Sequence, residues 1–560
     1  MRRLSLVSLA LASLLVAAAP AIHAATITVV NLDGAGEGFN DPTPVAPYGG
    51  NPETTLGAQR LYVFQYAARL WGQYLPSNVE ILVEANFDPL DCDSVSGVLG
   101  SAGPNNLFSD FPNAPFPNTW YHVALANKLA GEDLDPGVAD IGIQFNSDVG
   151  KTTCLPQGWY LGVDGHEGSM IELLPVVFHE LGHGLGFSTS TLAGVQEVFP
   201  HVYDHYLYDN TVGMHWNEMT DGAREASAQN CNNLVWDGPL TTAQAPERLG
   251  PKPLLRVNTA GTAQGDYNVG LASFGPALSP SGISGDVVLA VDAVPLPNNG
   301  CEPFTNAALM AGKIALIDRG GCTFVTKVKN AQNAGAIAVI VADSTAGCPP
   351  VGMGGADPTI TIPAVRIVQS DGAKIKAALL QGTVNVTMLR DPGLMAGADP
   401  AGRVQVYTPL PYQLGSSVSH WDTSANPDLL MEPALNTSLS SDADLTVTQL
   451  ADIGWFIGAV AVGDTPRRPS GLEASFPNPM MKGASTIAYT LPRPQHIQLS
   501  VYDLRGRLVA RLADGVRPEG RQTVVWDGRD LSGQPVAAGV YQYRLKTEAG
   551  VQARPLTVVR

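Results

Sequence analysis

Residues 179–187 read His-Glu-Leu-Gly-His-Gly-Leu-Gly-Phe. Side chains four positions apart lie on one face of an α-helix, so His179 and His183 can bind the same metal ion while Glu180 lies beside them as a base. This pattern indicates a zinc site. Two imidazoles hold zinc weakly, because catalytic sites normally use three protein ligands and a water molecule. A compact form of the motif would place a third histidine at position 189, where this chain has Thr189.

The start of the chain predicts export. Arg2 and Arg3 precede an apolar run over residues 4–19, and small residues follow up to Ala25, which is the pattern of a signal peptide over residues 1–24. The run is too short to favour a membrane span, and no later stretch approaches the required length. We therefore expect no membrane span and a secreted, extracellular or cell-surface location reached by bacterial-type export.

Composition narrows the class of protein further. The 560 residues carry a formal charge of −18, which argues against nucleic acid as a partner. The 59 glycines and 43 prolines fit a loop-rich exported protein. In an oxidising compartment the six cysteines predict three disulfides, and the sequence leaves all fifteen pairings open. These cysteines are Cys92, Cys154, Cys231, Cys301, Cys322 and Cys348.

Periodicity predicts the elements around the motif. Apolar residues recur at helical spacing over 61–71, and strands are expected at 79–83 and 139–145. The helix that carries the motif should either begin or kink at Pro175 and should end at Gly186.

From about residue 236 the composition changes to Pro- and Gly-rich segments. An alternation of strands and helices follows, at 313–317, 324–334, 336–341, 361–368 and 371–380. The segments 312–324, 329–336, 353–355 and 362–365 together resemble a protease-associated (PA) domain. The resemblance implies a non-catalytic module that shapes substrate access or partner binding; an unrelated α/β domain is the alternative.

The last region reads as all-β. Alternating runs such as 498–502 and 540–545 are separated by turn residues at 505–506, 527–528 and 532–533. The segments 475–479, 501–506 and 538–541 resemble the immunoglobulin-like domain of the flagellar-hook-capping family and of sorting tails of secreted bacterial proteins. The resemblance implies a structural or export module, with carbohydrate binding as an alternative.

Several residues are candidates for the missing ligand. His201, His205 and His215 follow the motif, although aromatic neighbours favour packing or surface roles for the first two. Glu197 or Glu225 could serve as a carboxylate ligand instead. His420 lies much farther along the chain.

The surroundings of His420 carry a second resemblance. Ser-His-Trp-Asp at 419–422, followed by Leu-Leu-Met-Glu-Pro at 429–433, is similar to the leishmanolysin-like branch of the metzincin zinc peptidases. By that resemblance His179, His183 and His420 are the metal ligands, Glu180 is the base, and Met431 is the methionine of a turn beneath the site. Trp421 or Asp422 is a candidate to orient His420.

These observations predict a multidomain α+β protein. A metzincin-like α/β protease core is interrupted by the PA domain and is followed by an all-β immunoglobulin-like sandwich. The predicted segments are the signal peptide at 1–24, the core at 25–235 and 396–463, the PA domain at 236–395, a linker at 464–472 and the sandwich at 473–560.

The predicted function is that of a secreted zinc-dependent endopeptidase, in which zinc activates water and Glu180 takes its proton. One Zn²⁺ is the expected cofactor, and the many Asp and Gly residues make Ca²⁺ a further candidate. Protein or peptide substrates and a monomeric state are expected. The alternatives are a catalytically silent extracellular binding or adhesion protein, and a peptidase with a glutamate as third ligand.

Overall fold

The computed structural model describes residues 24–190, 199–292, 298–434, 442–456, 471–472, 475, 480, 484–491, 494–503, 505–518, 520–547 and 550–559. Three predictions fall largely or wholly outside these residues: the signal peptide apart from its last position, Glu197, and the linker before residue 471. No helix in the described part of the chain combines the length and apolar character needed to cross a membrane.

The first region contains the motif helix and the sheet that supports it. Its elements are β1 (Ile27–Asn31), α1 (Leu56–Tyr74), β2 (Ile81–Asp88), β3 (Gly100–Pro104), β4 (Leu107–Phe108), β5 (Tyr121–His122), α2 (Val123–Ala130), β6 (Ile141–Asn146), β7 (Trp159–Tyr160), β8 (Ile171–Glu172) and α3 (Leu173–Leu185). The sheet has the order β1-β2-β6-β3, in which β3 is antiparallel to β6 and the other pairs are parallel.

Helix α1 confirms the predicted apolar periodicity. Thr55 caps its start by accepting a hydrogen bond from the Ala58 amide (3.3 Å). Trp71 is fully buried, stacks on Phe178 of α3 with ring centroids 4.6 Å apart, and donates from Nε1 to the Phe178 carbonyl (2.8 Å). The apolar face of α1 therefore holds the motif helix in place.

Strand β2 begins two residues later than the predicted 79–83. The Ser77 hydroxyl accepts from the Val79 amide (3.1 Å) and donates to the Val79 carbonyl (2.6 Å), so this side chain competes with the sheet for both groups. From Ile81 onwards the side chains alternate between buried and part-exposed positions, as expected of a strand with one face on the core. Strand β6 falls within the predicted 139–145 except for its last residue.

After the motif helix the chain forms a second, smaller sheet and two helices, the last of which lies inside the insert predicted at 236–395. These elements are β9 (Leu207–Asp209), β10 (Met214–His215), α4 (Asp221–Ser227), β11 (Leu234–Trp236) and α5 (Pro239–Arg248). Short 3-10 turns occur at Gly38–Asn40, Val202–His205, Trp216–Glu218 and, later, Ala307–Leu309.

The insert is built on one sheet. Its elements are β12 (Pro251–Val257), β13 (Gly265–Asn268), β14 (Gly270–Leu271), β15 (Ile283–Leu289), β16 (Ile314–Asp318), α6 (Phe324–Asn333), β17 (Ala338–Ala342), β18 (Ala364–Ile367), α7 (Gln369–Leu379) and β19 (Asn385–Met395). The described strands form a sheet of order β13-β12-β19-β15-β16-β17-β18-β14, and β15 to β18 are parallel.

Both faces of the parallel strands are buried. In β16, Leu316 belongs to one apolar cluster with Ile375 of α7, whereas Ile317 belongs to another with Val328 of α6. Successive strand residues point to opposite faces, so α6 and α7 cover the two sides of the sheet. The predicted strand–helix alternation is confirmed, and no predicted end differs from the observed one by more than three residues.

After the insert the chain pairs again with β11, the strand that precedes the insert. Strand β20 (Val404–Gln405) pairs with β11, giving the order β10-β9-β11-β20, and α8 (Thr446–Asp452) follows. Asp452 accepts hydrogen bonds from the Leu240 amide (2.9 Å) and the Thr241 hydroxyl (2.7 Å) at the start of α5. Helix α5 thus packs with the returning chain, and we place the start of the insert near residue 250 rather than at 236.

The last region forms two antiparallel sheets around a core of its own. Its strands are β21 (Gly471–Leu472), β22 (Ser485–Leu491), β23 (Gln495–Asp503), β24 (Leu508–Arg517), β25 (Gly520–Trp526), β26 (Gly539–Thr547) and β27 (Gly550–Val558), in the orders β21-β22-β25 and β24-β23-β26-β27. The two predicted strands lie inside β23 and β26. Strand β21 pairs with β22, so these two residues belong to the sandwich and not to the predicted linker.

All six cysteines are paired, as Cys92–Cys154, Cys231–Cys348 and Cys301–Cys322. The three predicted disulfides are therefore confirmed. Cys231–Cys348 joins the region before α5 to the insert.

Candidate metal centre

Helix α3 carries the motif between two well-defined ends. It begins at Leu173, so Pro175 lies in the first turn, where a missing amide hydrogen costs nothing because no helical acceptor precedes it. It ends at Leu185, and Gly186 follows with φ +127°, a backbone conformation that suits glycine. Of the two predictions for Pro175, the structure shows that it opens the helix, and Gly186 ends it as predicted.

Three imidazoles meet at one point beside this helix. The Nε2 atom of His183 lies 3.0 Å from Nε2 of His179 and 3.2 Å from Nε2 of His420. Nitrogens bound tetrahedrally to zinc at about 2.0–2.1 Å are about 3.3–3.4 Å apart. Among the described residues, these three are the one group of three or more His, Cys, Asp or Glu whose ligand atoms come together, all within 4.8 Å.

The opposite nitrogen of each ring faces a main-chain carbonyl. His179 Nδ1 donates to Leu430 (2.6 Å), His183 Nδ1 to Phe187 (2.9 Å) and His420 Nδ1 to Ser416 (2.7 Å). A carbonyl only accepts, so the proton of each neutral ring lies on Nδ1 and Nε2 presents a lone pair. Carbonyl partners of this kind fix the tautomer and the orientation of metal-binding histidines.

Burial keeps the rings neutral. It lowers the pKa of His179 to about 4. Burial, followed by the charge of His179, lowers the pKa of His420 to about 3, and burial together with both neighbours lowers that of His183 well below its usual value. Three neutral rings cannot hydrogen-bond to one another through three lone pairs. The donor set therefore suits a cation, and nitrogen ligands suit Zn²⁺.

Glu180 lies next to the cluster in a confined position. Its side chain is buried, and burial raises its pKa to about 8. A Cβ placed on Gly100 would lie 2.8 Å from Glu180 Oε1, so the backbone of β3 passes directly beside the carboxyl group. Only a glycine at this position leaves the Glu180 side chain where it is.

Met431 lies beneath the helix between the two motif histidines. It is fully buried, and a Cβ placed on Gly182 would lie 2.7 Å from its Sδ atom. The Met431 carbonyl accepts from the Trp421 amide (2.7 Å), which ties this residue to the segment that carries His420. Met431 thus packs under the site and has no place among the ligand atoms.

The segment after the helix lies against the distant one that supplies the third imidazole. The Thr189 amide donates to Ser419 Oγ (3.3 Å), one residue before His420. Position 189, where a compact motif would carry its third histidine, therefore lies next to the segment that carries His420.

The other candidate ligands lie in different surroundings. His201 Nε2 contacts Ser190 Oγ (2.8 Å), His205 stacks on Phe116 at 4.4 Å, and His215 Nε2 lies 2.8 Å from Asp237 Oδ2. Glu225 is exposed on α4. None of these four belongs to the described group of converging ligand atoms.

The predicted role of Trp421 or Asp422 in orienting His420 is replaced by another contact. The Ser416 carbonyl holds His420 Nδ1, while Asp422 accepts from the Ser424 amide (2.9 Å). Trp421 packs against Phe187 with ring centroids 4.7 Å apart. The Asp422 carboxylate thus accepts at Oδ1 from the turn that follows and not from the ring of His420.

Sequence reasoning missed Gly100 and Gly182 and all three carbonyl partners. A carbonyl is present in every residue, so no residue type marks the ones that orient the rings. The two glycines have no signal of their own either, because their importance comes from Glu180 and Met431, which approach them from other segments.

Residues 283–375 match the model of the PA domain. Residues 480–550 match that of the FlgD Ig-like domain. The chain is thus a multidomain protein with a PA domain and a β-rich immunoglobulin-like C-terminal domain. The resemblances for these two regions are confirmed.

Curated relatives share short stretches with this chain. ER degradation-enhancing alpha-mannosidase-like protein 3 from Homo sapiens is 55% identical over 51 residues, 9% of this chain and 6% of that protein. Leucine aminopeptidase 2 from Trichophyton equinum is 33% identical over 100 residues, 18% of this chain and 20% of that protein. Probable lipoprotein aminopeptidase LpqL from Mycobacterium tuberculosis is 34% identical over 110 residues, which are 19% of this chain and 21% of that protein. The chain spans about a fifth or less of these relatives, of which two are named as aminopeptidases and one as an alpha-mannosidase-like protein.

Two solved structures show similarly partial overlap. A zinc aminopeptidase from Bacillus subtilis has 27% identity and a TM-score of 0.19, covering 27% of this chain and 35% of its own. FlgD from P. aeruginosa has 26% identity and a TM-score of 0.11, and the match covers 13% of this chain and 57% of the FlgD chain.

Proposed function

We propose that this protein is an exported zinc metallopeptidase that cleaves peptide bonds within protein or peptide substrates. The observation that carries the proposal is the convergence of three Nε2 lone pairs, from His179, His183 and His420, beside the buried carboxyl group of Glu180. The arrangement of ligands and the position of Met431 favour a metzincin of the leishmanolysin-like kind.

The three histidines would hold one Zn²⁺, which when bound supplies a Lewis acid that lowers the pKa of water and polarises a carbonyl group. Glu180 would accept the proton of the attacking water as a carboxylate, because the charge of a bound cation would lower its raised pKa, and would pass the proton to the amine that leaves. The carbonyls of Leu430, Phe187 and Ser416 keep the three rings in the binding orientation. Met431 supports the floor of the site by packing.

The position of β3 supports cleavage within a chain. Among the described strands β3 is one of the two edges of its sheet, and its Gly100 lies beside Glu180. An extended peptide can add to such an edge through main-chain hydrogen bonds. A peptide bound in this way would continue past Glu180 in both directions, which suits an endopeptidase.

The test combines metal analysis with two kinds of substrate. Wild-type protein should bind one zinc per chain and cleave casein and an internally quenched peptide, and a zinc chelator should abolish the cleavage. Glu180→Gln should keep the zinc and lose about 10²–10⁴-fold in kcat, the usual contribution of a general base. His420→Ala should lose both zinc and activity.

Each alternative predicts a different result. An inactive wild type with a full complement of zinc would favour a binding or adhesion protein. Release of single amino acids from aminoacyl nitroanilides, without internal cleavage, would contradict the endopeptidase assignment. A His420→Ala protein with normal zinc content and activity would show that the third ligand is another residue, such as a glutamate.

Location, quaternary structure and calcium remain predictions. We propose a secreted or cell-surface monomer, for which Ca²⁺ is a further candidate ligand.

A further inference from the structure

The third imidazole is carried by a loop that closes on itself. The Tyr407 amide donates to the His420 carbonyl (2.9 Å), and the Val418 amide donates to the Tyr407 carbonyl (2.8 Å). Within the same loop the Ser416 carbonyl accepts from His420 Nδ1 (2.7 Å). The position of the ring therefore depends on the shape of residues 407–420.

Part of this loop is held from the insert. Cys348 and Leu410 form an antiparallel bridge, in which the Leu410 amide donates to the Cys348 carbonyl (3.0 Å) and the Cys348 amide to the Leu410 carbonyl (3.2 Å). Leu410 and Leu414 are 44% and 83% exposed, so water rather than apolar packing surrounds much of the loop between them. Tyr412 is the part of this stretch that packs on the core, and attachment to Cys348 adds a second constraint on the exposed chain around it.

A disulfide joins the same point to the region before the insert. Cys348 is bonded to Cys231, whose Sγ lies 3.0 Å from the Thr408 carbonyl oxygen. The buried Thr408 hydroxyl donates to the carbonyl of Asn230 (3.1 Å). Three segments distant in sequence, at 230–231, 348 and 408–410, are thereby fastened together at the base of the His420 loop.

We propose that the Cys231–Cys348 disulfide, the main-chain pairing of Cys348 with Leu410 and the hydrogen bond donated by Thr408 together position His420 for metal binding. The inserted PA domain then contributes a structural part of the metal centre. This inference rests on the proposed function, because it takes His420 as a ligand.

The test compares two double variants of the full chain. Cys231→Ser with Cys348→Ser removes the disulfide at the loop, and Cys301→Ser with Cys322→Ser removes one that lies within the insert and serves as the matched control. Zinc affinity is measured by competition with a chromophoric chelator, and the visible spectrum of the Co²⁺-substituted protein reports ligand geometry. Circular dichroism establishes that each variant is folded during the measurement.

The first variant should bind zinc roughly 10–100-fold more weakly than wild type, the usual effect of losing a contact that orients a ligand, and its Co²⁺ spectrum should change. The control should keep both properties of the wild type. Equal zinc affinity and an unchanged Co²⁺ spectrum in the first variant would overturn the inference, as would an equal loss in the control.

A second variant covers the case in which the first does not fold. Thr408→Val keeps every disulfide and removes the hydrogen bond to Asn230. Weaker zinc binding with an altered Co²⁺ spectrum supports the inference, and unchanged values contradict it. The His420→Ala protein separates the two proposals: normal zinc binding by that variant refutes the ligand assignment itself, whereas loss of zinc there with no effect of the cysteine variant refutes only the positioning role.

Discussion

At the scale of single residues, three carbonyl oxygens determine which ring nitrogens the candidate metal centre presents. The carbonyls of Leu430, Phe187 and Ser416 each hold an Nδ1–H group, which leaves three Nε2 lone pairs facing one another. Repulsion among these lone pairs is relieved when a cation lies between them. Under the proposed function the histidines are the ligands, and the backbone determines that Nε2 of each ring is presented.

Gly100 offers a test of how closely the backbone confines Glu180. Gly100→Ala places a methyl group against the carboxyl group of Glu180 and should move it, lowering kcat/KM by up to about 10²-fold, because a displacement of about 1 Å can have that effect. Zinc content should stay at one per chain. Steady-state kinetics and metal analysis check both expectations.

Gly103→Ala is the matched control, since it lies on the same strand and a Cβ there would have no atom within 4 Å. Similar losses of activity in both variants would show that the effect comes from the strand as a whole and would contradict the specific contact with Glu180.

At the scale of elements, the chain that follows the insert contacts three helices that precede it, α2, α3 and α5. Asp452 of α8 holds the start of α5, and the Trp455 indole donates to the Leu185 carbonyl (2.8 Å) at the end of α3. Lys128 of α2 donates from Nζ to the Gly454 carbonyl (2.7 Å). The segment around 452–455 thus joins helices that lie far apart in sequence.

The burial of Lys128 predicts a dependence of stability on pH. Burial lowers the pKa of Lys128 to about 8, whereas an unfolded lysine titrates near about 10.4. Between these values the unfolded state binds more protons, so the free energy of unfolding should rise with pH by up to about 1.4 kcal/mol per pH unit. Below pH 8 both states are protonated and this contribution is flat.

Lys128→Met should remove that rise. Urea unfolding of both proteins between pH 7.5 and 9.5 gives the difference in unfolding free energy, and Lys151→Met, at a lysine whose side chain is 61% exposed, serves as the control. Parallel pH profiles for wild type and Lys128→Met would contradict the prediction.

At the scale of the whole molecule, the apolar residues form separate cores. One cluster surrounds the metal centre and draws on residues on both sides of the insert, two lie on the faces of the insert's sheet, and another contains only residues from Leu472 to Val558. A region with its own core can fold and act independently of its neighbours. The sandwich is therefore expected to be dispensable for catalysis.

A chain that ends at residue 470 tests this expectation. It should keep one zinc per chain and a kcat/KM within about twofold of the full chain, because the core around the ligands is untouched. Metal analysis and cleavage of a quenched peptide measure both. A large loss of zinc or of kcat/KM, with circular dichroism showing a folded protein, would mean that the sandwich supports the metal centre.

Local information in the sequence determined much of this molecule. Four-residue spacing puts His179 and His183 on one helix face, glycine at 186 ends that helix, and alternating patterns place the strands of the insert and the sandwich. Each of these features depends on residues close together in sequence, whose relative positions are fixed once the chain is a helix or a strand.

Only the tertiary structure decided the rest. It selects one cysteine pairing, brings His420 within 3.2 Å of His183 across 237 residues, and sets Gly100 against Glu180 and Gly182 against Met431. It also moves the edge of the insert from 236 to about 250, because α5 packs with α8. The physical reason is common to all of these. Which distant segments meet depends on how whole sheets and helices pack. A carbonyl group or a glycine does not indicate in the sequence which residue will contact it.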